Sequence, residues 1–252
     1  MQVTDIMTQA DDIDNIIVRH IPVSSTLIEY GDGHLAIIDT GMVDNPQLVQ
    51  ELAEWGCRPE DFELVINTHL HCDHAGGNRL FRNARIITSR RGLEYTQDLD
   101  RKLRECHDPV NLLKRLGRDL DSSAAALVAD IKRLAESFPV ESFIGAPGQL
   151  EFIEDDPVLP PGFELIPAPG HTIADYAVVL TGRHEKVLVA GDALYHRDLW
   201  RTAYLPGINY NETMFKASAG RLSKFNGLIV PGHDRAFDNN TGIYLPEESF
   251  GI

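Results

Sequence analysis

Asn67-Thr68-His69-Leu70-His71-Cys72-Asp73-His74-Ala75-Gly76-Gly77-Asn78 is the stretch that decides the fold. Within six positions it places His69, His71, Asp73 and His74, side chains that bind borderline divalent metals. The apolar run before it, Leu64-Val65-Ile66, is bounded by polar residues and short enough for a buried strand. Ala75-Gly76-Gly77-Asn78 reads as a tight turn into a short helix. The donors therefore fall on the loop leaving the carboxyl end of a strand, where α/β sheets commonly carry active sites. Imidazoles at i and i+2 can share one ion. The adjacent Asp73-His74 pair has no room to close on that same ion, so a second metal is the natural reading. A lone buried histidine is usually a hydrogen-bonded core residue, but this density of donors between a strand and a Gly-Gly turn is not met that way.

Composition narrows the function classes. At 252 residues, 43% of them hydrophobic, the chain can bury a large core, and 1–252 reads as a single domain. A net charge of −15 argues against a phosphate-tracking surface, since nucleic-acid binding wants a basic stripe. Met1 to Asp14 is polar and acidic without the pattern of a signal peptide, and no apolar run approaches the ~20 residues that span a bilayer. Cys57, Cys72 and Cys106 are odd in number and lack metal-type spacing, which predicts free thiols in a reducing, cytoplasmic setting. The expected partner is a small-molecule substrate, with no nucleic acid and no membrane, and with a homodimer as the expected assembly.

Ile16–Arg19 and Ser25–Tyr30 read as strands, and Gly31-Asp32-Gly33 turns the chain into a third at His34–Asp39. Asn45 and Pro46 open a helix that Gly56 stops, with Leu48, Val49, Leu52 and Trp55 as its buried stripe. Residues 90–140 differ: they are charged and helical in period at Leu112, Leu113, Leu116, Leu120, Leu127, Ile131 and Leu134. Pro109 and Asp121-Ser122 divide this insertion into two or three helices beside the metal loop, where it can wall a substrate pocket. Strands follow at Ala84–Thr88, before it, and at Leu150–Ile153, Phe163–Pro167, Tyr176–Thr181, Lys186–Ala190 and Leu228–Val230, with a helix over Glu212–Phe225. The pattern alone gives mixed α/β.

His69-x-His71-x-Asp73-His74 resembles the signature of the metallo-β-lactamase-fold hydrolases. Pro169-Gly170-His171-Thr172, Ala190-Gly191-Asp192 and Val230-Pro231-Gly232-His233 look like that family's later motifs. Ile37-Ile38-Asp39-Thr40-Gly41 is similar to its first, and all five occur in family order. The resemblance implies a four-layer α/β/β/α sandwich. It assigns His69, His71 and His171 to one metal, Asp73, His74 and His233 to another, and makes Asp192 the bridge. Two ions would lower the pKa of a shared water and polarise a scissile carbonyl, so that a metal-bridging hydroxide attacks. The donor set suits Zn²⁺, with Fe²⁺, Mn²⁺ or Co²⁺ also accommodated. The redox branch that binds di-iron typically carries glutamate where this chain has His71. Asp39, at a strand end, fits a role in orienting a ligand imidazole.

Asp192-Ala193-Leu194-Tyr195 looks like the Asp-x-x-Tyr of the N-acyl homoserine lactonases, whose tyrosine holds the lactone carbonyl and its developing oxyanion. The implied catalytic residues are Tyr195 and Asp73, the latter passing a proton to the leaving alkoxide. The expected function is thus a lactonase, quorum-quenching if the lactone is an acyl-homoserine lactone. Ile173-Ala174-Asp175 stands where many such relatives have a further Gly-His pair, so another lactone, such as a pyridoxolactone-like ring, fits equally well. Met42, Trp200 and Tyr204 are candidates for an apolar wall, with plain core positions as the alternative for all three. Cys72 is expected to point away from the ligands. A glyoxalase II type thioester hydrolase ranks below a lactonase because Arg235 is the sole basic residue after His233. Phosphodiesterase and β-lactamase activities rank lower still, and a non-catalytic binding protein would ordinarily have lost ligands that are all present here.

Overall fold

The computed structural model describes residues 1–10, 21–44, 46–118, 124–199 and 209–252. The expectations at Ile16–Arg19, Asn45, Leu120, Asp121-Ser122, Trp200 and Tyr204 fall outside them. The first strand is β1 (Gln2–Ala10), in the stretch read as polar. It pairs along its whole length with β2 (Ile21–Tyr30), which pairs in turn with β3 (His34–Ile38). Then come α1 (Gln47–Glu54), β4 (Leu64–Ile66) and β5 (Arg85–Thr88). The inserted helices are α2 (Arg90–Glu105), α3 (Pro109–Arg115) and α4 (Ala124–Ser137). The chain continues through β6 (Leu150–Phe152), β7 (Phe163–Pro167), β8 (Tyr176–Thr181) and β9 (Lys186–Gly191). It closes with α5 (Glu212–Leu222), β10 (Leu228–Pro231), β11 (Phe237–Asp238) and β12 (Ser249–Gly251).

Two sheets result, ordered β12-β1-β2-β3-β4-β5-β6 and β11-β10-β9-β8-β7. Alternation along the strands sorts side chains into layers, since successive residues point to opposite faces. Ala36, Ile38, Leu64, Ile66 and Ile87 meet Val178, Leu180, Val187, Val189 and Val230 between the sheets. The intervening Ile37, Val65 and Ile86 pack outward against Leu48 and Leu52 of α1. On the far side, Val179, Leu188 and Ile229 pack outward against Phe215, Ala219 and Leu222 of α5. This is the expected α/β/β/α sandwich.

The α1 stripe is narrower than predicted: Val49 and Trp55 are exposed, because only Leu48 and Leu52, one turn apart, face the sheet. Each of the first two inserted helices starts on a side-chain cap, Ser89 Oγ accepting from Gly92 N at 3.0 Å and Asp108 Oδ1 from Asn111 N at 2.9 Å. The three inserted helices bury their own core of Leu103, Leu112, Leu113, Val128 and Ala135. A second cluster, Leu70, Ala75, Leu93, Phe143 and Ile144, ties them to the His69–His74 loop. Among the described residues no helix is long and apolar enough to cross a membrane.

Candidate metal centre

Every sequence-predicted donor leaves the carboxyl end of a strand, and the parallel pairs β3–β4 and β9–β10 bring those ends to one rim of the sandwich. Asp39 follows β3, His69 to His74 follow β4, His171 lies between β7 and β8, Asp192 follows β9 and His233 follows β10. The two loops of the first sheet are zipped together, Thr40 N donating to His74 O at 2.6 Å and Gly76 N to Gly41 O at 3.0 Å. Glycine at 76 is what permits this, since a Cβ there would stand 2.1 Å from Cys72 O and Val43 N. The two sheets are joined at the rim by Tyr176 N donating to Thr68 O and Ser24 N to Gly232 O, both at 2.9 Å.

The structure brings all seven predicted donors together. His71 Nδ1 lies 3.1 Å from His69 Nε2 and 3.0 Å from His171 Nε2. His74 Nε2 lies 3.2 Å from His233 Nε2. Asp192 stands between the two groups: Oδ2 is 3.1 Å from His171 Nε2, while Oδ1 is 3.1 Å from His233 Nε2 and 3.2 Å from His74 Nε2. Asp73 Oδ2 is 3.9 Å from His233 Nε2 and 4.0 Å from His74 Nε2. His69, His71, His171 and Asp192 form one set whose donor atoms lie within 4.8 Å of one another, and Asp73, His74 and His233 form a second.

Outer hydrogen bonds on four of the five rings fix which nitrogen faces inward. Thr68 Oγ1 donates its single proton to Asp39 Oδ2 at 2.7 Å, so it accepts from His69 Nδ1 at 3.1 Å and leaves Nε2 a lone pair. His74 Nδ1 donates to Asp39 Oδ2 at 2.9 Å, and His233 Nδ1 donates to the Pro22 carbonyl at 2.7 Å. His171 Nδ1 faces Asn209 Oδ1 at 3.4 Å. Asp39 is held in turn by Thr68 N at 2.8 Å. Of these supports sequence reading found only Asp39. Thr68 was within reach as the neighbour of His69, but the Pro22 carbonyl and Asn209 carry no motif.

This constellation fits cations. Two nitrogens bound tetrahedrally at 2.0–2.1 Å sit about 3.3 Å apart, close to the spacings within each set. Asp192 Oδ1 is buried and accepts no hydrogen bond, an unmet demand that a cation would satisfy. Burial, together with the His74 and His71 rings, holds His69 well below the ordinary imidazole range. Burial and the His171 ring lower His71. Burial is the largest influence on His74 and His171 and would lower both, but Asp192, joined by Asp73 and Asp39 at His74 and by Asp175 and Asn209 at His171, raises them. Burial opposes the charge on Asp192, yet the surrounding His233, His74 and His171 hold its carboxyl well below the usual range. The cluster is thus a buried gathering of imidazole nitrogens around the Asp192 carboxylate.

A cavity of about 240 Å³ opens on the centre, with His71, Asp73 and Tyr195 at its floor and Tyr95, Leu99 and Phe138 among its walls. The insertion therefore does wall the pocket. Tyr195 stacks on His233 with ring centroids 4.0 Å apart. Met42 does not join the wall: it is buried with Val23 in a separate core cluster. Cys72, expected to point away, packs beside that cluster and also reaches the cavity lining.

A family model described as the Metallo-beta-lactamase superfamily matches residues 18–233. An N-acyl homoserine lactonase of Bacillus sp is 27% identical over 198 residues, 77% of this chain, and the match spans 64% of that relative's length. A second N-acyl homoserine lactonase, of Bacillus cereus, is 25% identical over 244 residues, covering 85% of this chain and 82% of that one. Among solved structures, the chain is similar in fold to AidC, a dizinc quorum-quenching lactonase in complex with a product. The TM-score is 0.62 at 18% identity, covering 85% of this chain and 73% of AidC.

Proposed function

Because the chain belongs to the metallo-beta-lactamase superfamily, a family of metal-dependent hydrolases, we propose that it is a dinuclear lactonase. His69, His71 and His171 would hold one ion, Asp73, His74 and His233 the other, and Asp192 both; the nitrogen-rich set suits Zn²⁺. When bound, such ions supply a nucleophilic water at neutral pH and polarise the substrate carbonyl.

The observation that carries the lactone is Tyr195, stacked on His233 at the floor of the cavity. Burial, with the nearby Asp192 and Asp73 charges, pushes its phenol upward, so it keeps its proton and donates to the carbonyl oxygen as negative charge develops there. Asp73 exposes 20% of its side chain beside His233, where it can pass a proton to the leaving ring oxygen. Water adds to the acyl carbon, the acyl–oxygen bond breaks, and the product is a hydroxy acid. A cavity of about 240 Å³ admits a lactone ring with a short arm. The N-acyl homoserine lactonase relatives support an acyl-homoserine lactone or a similar ring, with quorum quenching as its consequence. The same reading takes 1–252 as one domain and the three free cysteines as suited to a cytoplasmic setting.

The test is a titration of acid released when metal-loaded protein meets lactones, glutathione thioesters and phosphodiesters in parallel. We expect lactone opening that a chelator abolishes and Zn²⁺ restores. Thioester or phosphodiester turnover without any lactone turnover would overturn the reading.

A further inference from the structure

Arg118 follows α3 and lines the same cavity as the metal centre, within a wall otherwise dominated by apolar side chains. Its guanidinium carbon lies 5.5 Å from the ring centroids of both Tyr95 and Tyr210, which meet edge to face at 86°. Tyr210 N donates to His171 O at 2.9 Å, which ties one of the two rings to the third histidine loop. Arg118 Nε and Nη1 and Tyr95 Oη are buried and make no hydrogen bond with any described residue. Among the described residues no carboxylate forms an ion pair with Arg118. The acid whose charge it feels, Asp175, accepts from Thr172 N at 3.0 and 2.7 Å and from Thr172 Oγ1 at 2.6 Å. Asp100, another acid of the cavity wall, accepts from Val140 N at 2.9 Å.

A largely buried cation with no direct ion pair is costly, and two tyrosine rings and the Asp175 charge recover only part of what water would give. A planar guanidinium matches a carboxylate. We propose that Arg118 is a specificity-determining residue that receives a carboxylate borne on the substrate's arm, away from the scissile ring. This rests on the lactonase reading and narrows it from plain alkyl-armed lactones to anionic-armed ones.

The experiment compares N-adipoyl- and N-hexanoyl-homoserine lactone, equal in arm length and differing in a terminal carboxylate. Wild type, Arg118→Met and Arg118→Lys are assayed for turnover, and for binding of the two ring-opened products by calorimetry. We expect wild type to favour the adipoyl lactone by about tenfold or more in kcat/KM, mainly through KM. Arg118→Met should lose that preference while keeping hexanoyl turnover, and Arg118→Lys should retain part of it. Equal handling of both arms by wild type, or an unchanged preference in Arg118→Met, overturns the inference. Should Arg118→Met fail to fold, the wild-type ratio and Arg118→Lys still decide it. If no lactone is opened yet wild type alone binds the adipoyl product more tightly, the lactonase reading falls and the carboxylate site stands.

Discussion

Asp39 Oδ2 lies 2.9 Å from His74 Nδ1, on the side of the ring opposite the cluster. Its backbone adopts φ 57°, a left-handed conformation uncommon for a side-chain-bearing residue, and this turns the carboxylate back under the metal loop. The pair fixes the tautomer that presents Nε2 inward. Asp39→Ala should therefore weaken metal binding by about 10- to 100-fold, as loss of such supports typically does. Chelator competition checks it, and wild-type affinity in the variant would refute the orienting role.

Tyr195→Phe removes one hydroxyl and leaves the stack on His233 in place. We expect full metal content and a fall in lactone kcat of about 100-fold, the scale of losing one oxyanion donor. Parallel metal analysis and kinetics decide it. Unaltered kcat would remove the tyrosine from the chemistry.

Gly232→Ala would place a Cβ 2.2 Å from Asp192 Oδ1, so the carboxylate must move off both imidazole pairs. Loss of bound metal and a lowered Tm are expected together. Gly220→Ala, in α5 with nothing within 4 Å of the added carbon, is the control and should be neutral or stabilising by about 0.5–1 kcal/mol.

Asp5 is buried on β1, and burial, with the Asp234 and Glu248 charges, pushes its carboxyl up to about 7 despite the hydrogen bond from Ala236 N. The folded protein thus keeps a proton that the unfolded chain releases near pH ~4. Its contribution to stability falls as pH rises from about 4 to about 7, by at most about 4 kcal/mol. Asp5→Asn should flatten that slope and be more stable than wild type at pH 8, measured by urea unfolding at several pH values. An identical pH profile in both proteins would contradict it.

The metal centre was legible because its donors are dense and chemically distinctive, and because each later one follows a short apolar strand. Strand β1 was not legible: Thr4, Asp5 and Thr8 are buried alongside Val3 and Ile6, so no polar–apolar alternation marks it. Its pairing partners lie far along the chain, from Ala10 opposite Ile21 to Gln2 opposite Gly251, so the pairing has no local sequence signature. The carbonyl of Pro22 that orients His233 is likewise invisible, being backbone with no side-chain signature. Of the two readings of Met42, wall or core, the core one holds, since nearness to a motif in sequence does not say which face of its loop a side chain takes.

The donors come from both sheets, four from the loop after β4 and three from the β7–β10 sheet, and neither half holds a complete donor set by itself. On the proposed dinuclear reading, ion occupancy would act as a gauge of how well the halves are docked. Any substitution that loosens the Ile66–Val189 seam, however remote from the rim, would register as leakage of cations before it registered as unfolding.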